Sequence, residues 1–96
     1  MDEHQRRVLG SLIDEVDAFR RGELTDARLV ANLQGLVAAA DIHDEQLLND
    51  FWDRRNDLLL EIAPGWFDTD RPIPGGEARF RAWVHEILDT TDDQQT

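Results

Sequence analysis

The segment from Asp44 to Ile62 repeats its apolar side chains with the spacing of an α-helix and carries a row of acids on the opposite side. At about 100° per residue, seven apolar side chains share one arc of the helical wheel: Leu47, Leu48, Phe51, Trp52, Leu58, Leu59 and Ile62. The opposite arc holds four acids: Asp50, Asp53, Asp57 and Glu61. Such a helix buries one face against other helices, so the segment predicts a long amphipathic helix in an all-α fold.

Neighbouring acids in this row are three or four residues apart. Like charges at these spacings repel by roughly 0.2–0.5 kcal/mol per pair on an exposed helix. Arg54, four residues after Asp50, is the only cation that the local sequence places to relieve the repulsion. Acids that destabilise the free protein are expected where a cationic partner binds, so all four are candidate partner-binding residues. A solvated face that keeps the protein soluble is the alternative interpretation.

Three further segments show the same helical spacing of apolar residues. These predicted helices cover about residues 3–21, 26–40 and 77–90. No segment alternates apolar and polar residues as a strand does, and no internal repeat is present. With short connections after the first and second helices, the sequence predicts one domain over residues 1–96, a compact antiparallel four-helix bundle. The acidic tail from about residue 91 is expected to be frayed.

Glycine, proline and capping residues mark the ends of the predicted helices. Gly22 is typical of the residue that follows a helix in the left-handed conformation. Thr25 and Asp44 precede the second and third helices, where their side chains are expected to accept hydrogen bonds from N–H groups of the first turn. Pro64 ends the third helix. The stretch from Trp66 to Gly76 contains further prolines and glycines without periodicity, which predicts an irregular loop before the last helix.

The charge balance limits the kinds of partner and compartment. Twenty-one acidic residues against ten arginines give a formal net charge of −11. Affinity for nucleic acid depends on cations that neutralise phosphates, so we expect no nucleic-acid partner and favour a basic protein. The chain has no cysteine, no apolar segment long enough to span a membrane and no signal sequence at its N-terminus, which predicts a cytoplasmic protein without membrane contact.

The residues do not indicate an enzyme. Ser11, the sole serine, lies within the first predicted helix without a plausible His–Asp partner. The acids near His43 and near His85 form weak metal-like groupings, because carboxylates fall near any histidine in so acidic a chain. Asp68 and Asp70 lack the remaining ligands of a calcium loop. We therefore expect no catalytic residue, no metal and no cofactor, and a metal-dependent enzyme is the least favoured alternative.

Two features each have two interpretations. Arg55 falls in the middle of the apolar arc of the third helix, where a buried guanidinium needs a carboxylate partner. Either its stem packs in the core while its head pairs or reaches solvent, or it lies near a partner surface where the bundle is open. Trp66 and Phe67 either fold back over the small core or form an exposed anchor of the kind that dominates binding energy. We include both aromatic residues among the candidate partner-binding residues.

Four features together resemble the small bacterial immunity proteins of the colicin D type: the first helix ending in Phe19, the turn Gly22-Glu23-Leu24-Thr25, the second helix beginning near Leu29, and the long acidic helix around Phe51-Trp52. The resemblance implies an all-helical, acidic, cytoplasmic protein that binds the nuclease domain of a cognate bacteriocin or contact-dependent toxin and covers its positively charged active site. It spans residues 8–62. The Pro-rich loop from Pro64 to Gly76 departs from the family, and no binding motif carries over residue by residue.

The sequence therefore predicts a non-enzymatic acidic protein that binds a basic partner. Most concretely, it predicts an immunity protein or antitoxin that inhibits a nuclease-type toxin, with the four acids of the third helix mimicking phosphates and Trp66 or Phe67 providing an apolar anchor. The alternative is a self-associating structural or regulatory helical module such as a homodimer. Leu60, which lies off the main apolar arc, and the two loop aromatics favour this second hypothesis.

Overall fold

A computed structural model describes the backbone of residues 2–94 and the side chains of residues 2–89. In this part of the chain there are four α-helices, one short 3₁₀ helix and no strand. The elements are α1 (Glu3–Arg20), α2 (Asp26–Ala39), α3 (Glu45–Ile62), the 3₁₀ helix η1 (Pro64–Phe67) and α4 (Gly76–Gln94). The prediction of an all-α fold with four helices is confirmed, whereas the antiparallel packing stays a prediction. No helix in the described residues combines the length and apolar content needed to cross a membrane.

Side-chain caps begin the first three helices, and those of α2 and α3 are the ones that the sequence predicts. Thr25 accepts a hydrogen bond from a first-turn N–H of α2, and Asp44 accepts two from the first turn of α3. Asp2 and Gln5 form a reciprocal capping box at the start of α1. Gly22 follows α1 with a φ of +79°, the left-handed conformation expected after a helix end.

The region before and within α4 differs from the prediction. The start of the predicted irregular loop forms η1, and only residues 68–75 lack a regular element. Helix α4 begins at Gly76 and continues to Gln94, beyond the predicted end at residue 90. The prediction of a frayed tail extends to residues 95–96, which lie outside the described residues.

The chain divides into two compact units. Unit 1 consists of Met1–Ile42 and Val84–Thr96, and unit 2 consists of His43–Trp83. In unit 1, α1 packs against α2 through six buried aliphatic side chains: Leu9, Leu12, Val16, Leu29, Val30 and Leu33. A hydrogen bond of 2.9 Å from the amide of Asn32 to the carboxylate of Glu15 joins the same two helices.

The core of unit 2 is formed by α3, the residue after it and the first part of α4. Its buried side chains are Phe51, Leu58, Leu59, Ala63, Phe80 and Trp83. The rings of Phe51 and Phe80 lie 6.4 and 6.1 Å from the ring of Trp83, distances at which aromatic pairs attract one another. This aromatic cluster fixes the apolar side of α3 and leaves the opposite side of the helix for other contacts.

The apolar arc predicted for α3 is buried only in part. Phe51, Leu58 and Leu59 are buried, and Leu47, Leu48 and Ile62 are half-buried. The placement of Trp52 in the buried arc is wrong, because its side chain is 44% exposed. Four residues lie three or four positions from Trp52 along the helix: Leu48, Asn49, Arg55 and Asn56. Only Leu48 is apolar, so most neighbours of Trp52 on the helix surface are polar. Trp52 therefore lies at the border of the arc.

Candidate functional site

The row of four acids on α3 divides into two halves with different surroundings. Asp53 is exposed and has no bonding partner among the described residues, and Asp50 is half-buried and accepts a hydrogen bond of 3.0 Å from Gln46 on its own helix. Asp57 and Glu61 are also half-buried, but both bond to the start of α4. Among the described residues, the carboxylates in the N-terminal half of the row thus bond to no other helix, whereas those in the C-terminal half bond to α4.

Glu61 caps α4 from another helix. One of its carboxylate oxygens accepts a hydrogen bond of 2.8 Å from the N–H of Gly75, and the other accepts one of 2.9 Å from the N–H of Glu77. The first N–H groups of a helix lack intrahelical partners and attract negative charge. Gly75 has no side chain to supply a cap, and its φ of +93° is a conformation that favours glycine. The Glu61 carboxylate therefore replaces the local cap that the sequence lacks.

Asp57 forms an ion pair with Arg79 of α4. The guanidinium donates from Nε to one carboxylate oxygen and from Nη2 to the other, the latter at 2.7 Å. The hydrogen bond from Arg79 lowers the pKa of Asp57, outweighing the opposite effect of burial, and the charges of Arg79 and Arg54 lower it further. The same bond raises the pKa of Arg79. Arg79, which is distant in sequence, therefore relieves the row of acids together with the local cation Arg54.

The backbone of α4 begins in very close contact with α3. A Cβ atom placed on Gly76 would overlap the carbonyl oxygen of Asp57 and lie only 2.6 Å from its carbonyl carbon, inside any real contact distance. Only glycine fits at this point. Six residues make these contacts, and we refer to them as the α3–α4 junction: Asp57, Glu61, Gly75, Gly76, Glu77 and Arg79.

Four large apolar side chains are exposed among the described residues, and all belong to unit 2. Trp52, Trp66, Phe67 and Ile73 are 44, 43, 38 and 47% exposed, respectively. The exposure of Trp66 and Phe67 argues against their folding back over the core and agrees with an anchor on the surface. Trp52 and Ile73 are not among the residues predicted from the sequence to bind a partner. Asn49 and Asn56, three residues before Trp52 and four after it, are the signal that places Trp52 at the border of the apolar arc, whereas Ile73 lies in a segment without periodicity.

Arg55 lies at the border between core and surface. Its guanidinium carbon lies 4.7 Å from the ring centre of Trp52, a cation–π geometry, and its Nη2 donates to the side chain of Asn56 at 2.8 Å. Its Nε is buried without a hydrogen-bond partner, and burial lowers its pKa. No carboxylate among the described residues pairs with it. Arg55 thus combines a partly desolvated charge with an exposed aromatic neighbour rather than with a paired carboxylate.

Replacing Arg55 with methionine is expected to change the free energy of unfolding by less than about 1 kcal/mol. The substitution removes a cation–π contact of about 0.5–1 kcal/mol but also removes a poorly solvated Nε. Breaking a buried ion pair would instead cost about 3–5 kcal/mol. Urea unfolding followed by circular dichroism measures the change, with Arg71→Met as the control at an exposed arginine. A loss of several kcal/mol in the Arg55 variant alone would contradict this description.

The loop acids line an open depression rather than a closed pocket. Gly65, Asp68, Thr69 and Asp70 surround a volume of about 490 Å³ that opens widely to solvent. Ligand pockets usually bury most of the surface of a small molecule, which a depression of this shape does not do. No group of three histidine, cysteine, aspartate or glutamate side chains in the described residues is arranged to hold a metal ion. This depression therefore offers no enclosed site for a small ligand.

No family model matches the chain, and comparison with curated proteins and with solved structures gives no match. The resemblance to immunity proteins of the colicin D type therefore stays a prediction from the residues.

Proposed function

We propose that this chain is a non-enzymatic protein that binds and inhibits a basic protein, most concretely a bacterial immunity protein or antitoxin against a nuclease-type toxin. The observation that carries the proposal is the combination of negative charge with exposed apolar anchors in unit 2. Trp52 lies beside Asp53 on α3, and Trp66 and Phe67 precede the exposed Asp68. Aromatic side chains supply much of the energy of protein interfaces, and charge selects the partner.

The proposed inhibition is electrostatic and steric, and it requires no cofactor. A net charge of −11 attracts a basic nuclease from a distance and raises the rate of encounter. Asp50 and Asp53 would then occupy positions that substrate phosphates take on the nuclease, while the bulk of the helices excludes nucleic acid. Asp57 and Glu61 belong to the same proposed surface, but their carboxylate oxygens already accept hydrogen bonds from α4. They can therefore accept fewer hydrogen bonds from a partner than Asp50 and Asp53 can. A cytoplasmic location, as in the family that the chain resembles, is part of the proposal.

A self-associating module is the second candidate, because the same four exposed apolar side chains can be covered by another copy of the chain. The charge opposes this candidate, since two copies that each carry −11 repel one another at low ionic strength. Sedimentation equilibrium at low and at high salt separates the two candidates. A monomer under both conditions disfavours self-association, and a dimer that forms at micromolar concentration supports it.

Partner capture tests the proposed function directly. The purified chain is immobilised, incubated with lysate of its native cells at low salt, and eluted with increasing salt for identification by mass spectrometry. Elution of a basic nuclease, followed by loss of its nuclease activity when the chain is added in equimolar amount, would support the proposal. A captured nuclease that remains fully active in the complex would count against inhibition, and recovery of the chain alone would favour self-association.

Neutralising Asp50 and Asp53, the two acids of the row that do not bond to α4, is expected to slow association with the captured nuclease by roughly tenfold at low salt. The variant is Asp50→Asn/Asp53→Asn, in which the amide oxygen introduced at position 50 can still accept the hydrogen bond from Gln46. The control is Asp14→Asn/Glu86→Gln, which removes the same charge from exposed positions of unit 1. Stopped-flow fluorescence measures both rates. Equal slowing in the two variants would show that net charge, rather than the α3 surface, directs association.

A further inference from the structure

The segment between α3 and α4 is tied down at both ends although most of it has no regular structure. At its start, the N–H of Thr69 donates to the carbonyl of Pro64, which closes the turn of η1. Near its end, the N–H of Ile73 donates to the carbonyl of Leu60 at 2.9 Å, so the segment returns to the last turns of α3. The contacts of the α3–α4 junction then hold the following residues. We call residues 64–75 the docking segment.

The docking segment presents apolar side chains from this restrained backbone. Trp66, Phe67 and Ile73 lie on it and are each more than one-third exposed. Interface residues that are ordered before binding lose less conformational entropy when a partner arrives. Large side chains of this kind are the residues at which binding energy concentrates. An anchored segment with three exposed apolar side chains therefore has the properties of a binding surface that is ordered before its protein partner arrives.

Charge selects the occupant of this segment. Asp68 and Asp70 are exposed, and their carboxylates have no bonding partner among the described residues. They lie between the exposed aromatics and Ile73, and together they outweigh the single exposed cation of the segment, Arg71. Nucleic acid, an anionic membrane and a second copy of the chain all carry negative charge and are repelled by a protein with a net charge of −11. A segment of a basic protein, with cationic side chains next to apolar ones, complements both the carboxylates and the aromatic rings.

We propose that the docking segment is the primary contact for the basic partner and that Asp57 and Glu61 act as positioning residues that hold this segment in shape. The inference rests on the proposed function and refines it, because it moves the centre of recognition from the acids of α3 to Trp66, Phe67 and Ile73. Glu61 accepts the N–H of Gly75, and Arg79, held by Asp57, donates to the carbonyl of Pro74 at 3.4 Å, so both acids fix the end of the segment. The apolar side chains meet the partner.

The test uses the full chain labelled with ¹⁵N and a defined probe, a capped peptide of alternating arginine and leucine, at about physiological ionic strength. Titration is followed by amide chemical shifts in two-dimensional NMR spectra. We expect the shift changes to concentrate in residues 64–75. The Trp66→Ala/Phe67→Ala variant, which alters only exposed side chains, should bind the peptide roughly tenfold more weakly. The Asp14→Asn/Glu86→Gln control should bind like the wild type.

A second peptide of alternating arginine and serine separates apolar docking from simple charge attraction. We expect it to bind the wild type roughly tenfold more weakly than the leucine peptide, because it has no side chain for the aromatic rings. Equal affinity for the two peptides would overturn the inference. Shift changes spread over both units, or equal peptide affinity in the wild type and the aromatic variant, would also overturn it.

The failure of the inference can be distinguished from the failure of the proposed function. If the captured basic nuclease binds the Trp66→Ala/Phe67→Ala variant as tightly as the wild type, the docking segment is not the primary contact, although inhibition of a basic partner still holds. If capture yields no basic protein, the proposed function itself fails. If the aromatic variant loses the nuclease while keeping its circular dichroism spectrum, the inference is supported.

Discussion

Replacing Gly76 with alanine is expected to lower the free energy of unfolding of unit 2 by about 3 kcal/mol, near the upper end of the usual cost of overpacking. The new Cβ would overlap the carbonyl oxygen of Asp57 and meet its carbonyl carbon at 2.6 Å. These are backbone atoms of a helix, so no side chain can rotate away to make room. Either α4 moves away from α3 or the helix backbone distorts, and both changes weaken the core around Phe80. Small domains have only about 5–15 kcal/mol of stability, so this loss is large.

The matched control is Gly35→Ala in the interior of α2. An added Cβ at Gly35 meets nothing within 4 Å, so alanine should raise the free energy of unfolding by about 0.5–1 kcal/mol through helix propensity. Urea unfolding is followed by tryptophan fluorescence and by circular dichroism. Trp52, Trp66 and Trp83 all belong to unit 2, so fluorescence follows the surroundings of the altered contact. An unchanged fluorescence midpoint in the Gly76 variant would mean that α4 does not begin against α3.

The sequence predicts the elements of this fold well where their causes are local. Thr25, Asp44 and Gly22 act within one turn of the helix that each of them begins or ends, so single-chain rules identify all three. The start of α4 is different. Its capping group comes from Glu61, fourteen residues before Gly75, and its closest contact is with a backbone carbonyl of α3. Neither contact follows from helical periodicity, which describes neighbours three and four residues apart.

The same limit explains how far the candidate site could be predicted. The helical wheel correctly separates the acids of α3 from its buried side chains, but it gives Asp57 and Asp53 the same expected availability to a partner. Only the fold reveals that Arg79, twenty-two residues away, pairs with one and not the other. The sequence leaves two interpretations of Trp66 and Phe67 open, because residue type alone does not say whether an aromatic pair packs inward or lies on the surface. Tertiary contacts, rather than residue types, decide which members of the row remain available to a partner.

Replacing Glu61 with alanine is expected to lower the free energy of unfolding by about 2 kcal/mol, whereas Asp53→Asn should change it by less than about 0.5 kcal/mol. The first substitution removes the acceptor of two backbone N–H groups at the start of α4. The second alters an exposed carboxylate with no bonding partner among the described residues. Glu61→Gln should lie between them, because its amide oxygen can accept one of the two bonds while its amide nitrogen cannot. Urea unfolding at neutral pH measures all three variants.

Amide hydrogen exchange then identifies the cause of the lost stability. If Glu61 caps α4, the N–H groups of Gly75 and Glu77 are protected in the wild type and exchange rapidly in the alanine variant, while the amides of α2 keep their protection. Equal stability of the Glu61→Ala and Asp53→Asn variants would mean that the row of acids is one uniform surface. All four carboxylates would then be equally available to a basic partner, and the docking segment would lose the contact that holds its C-terminal end.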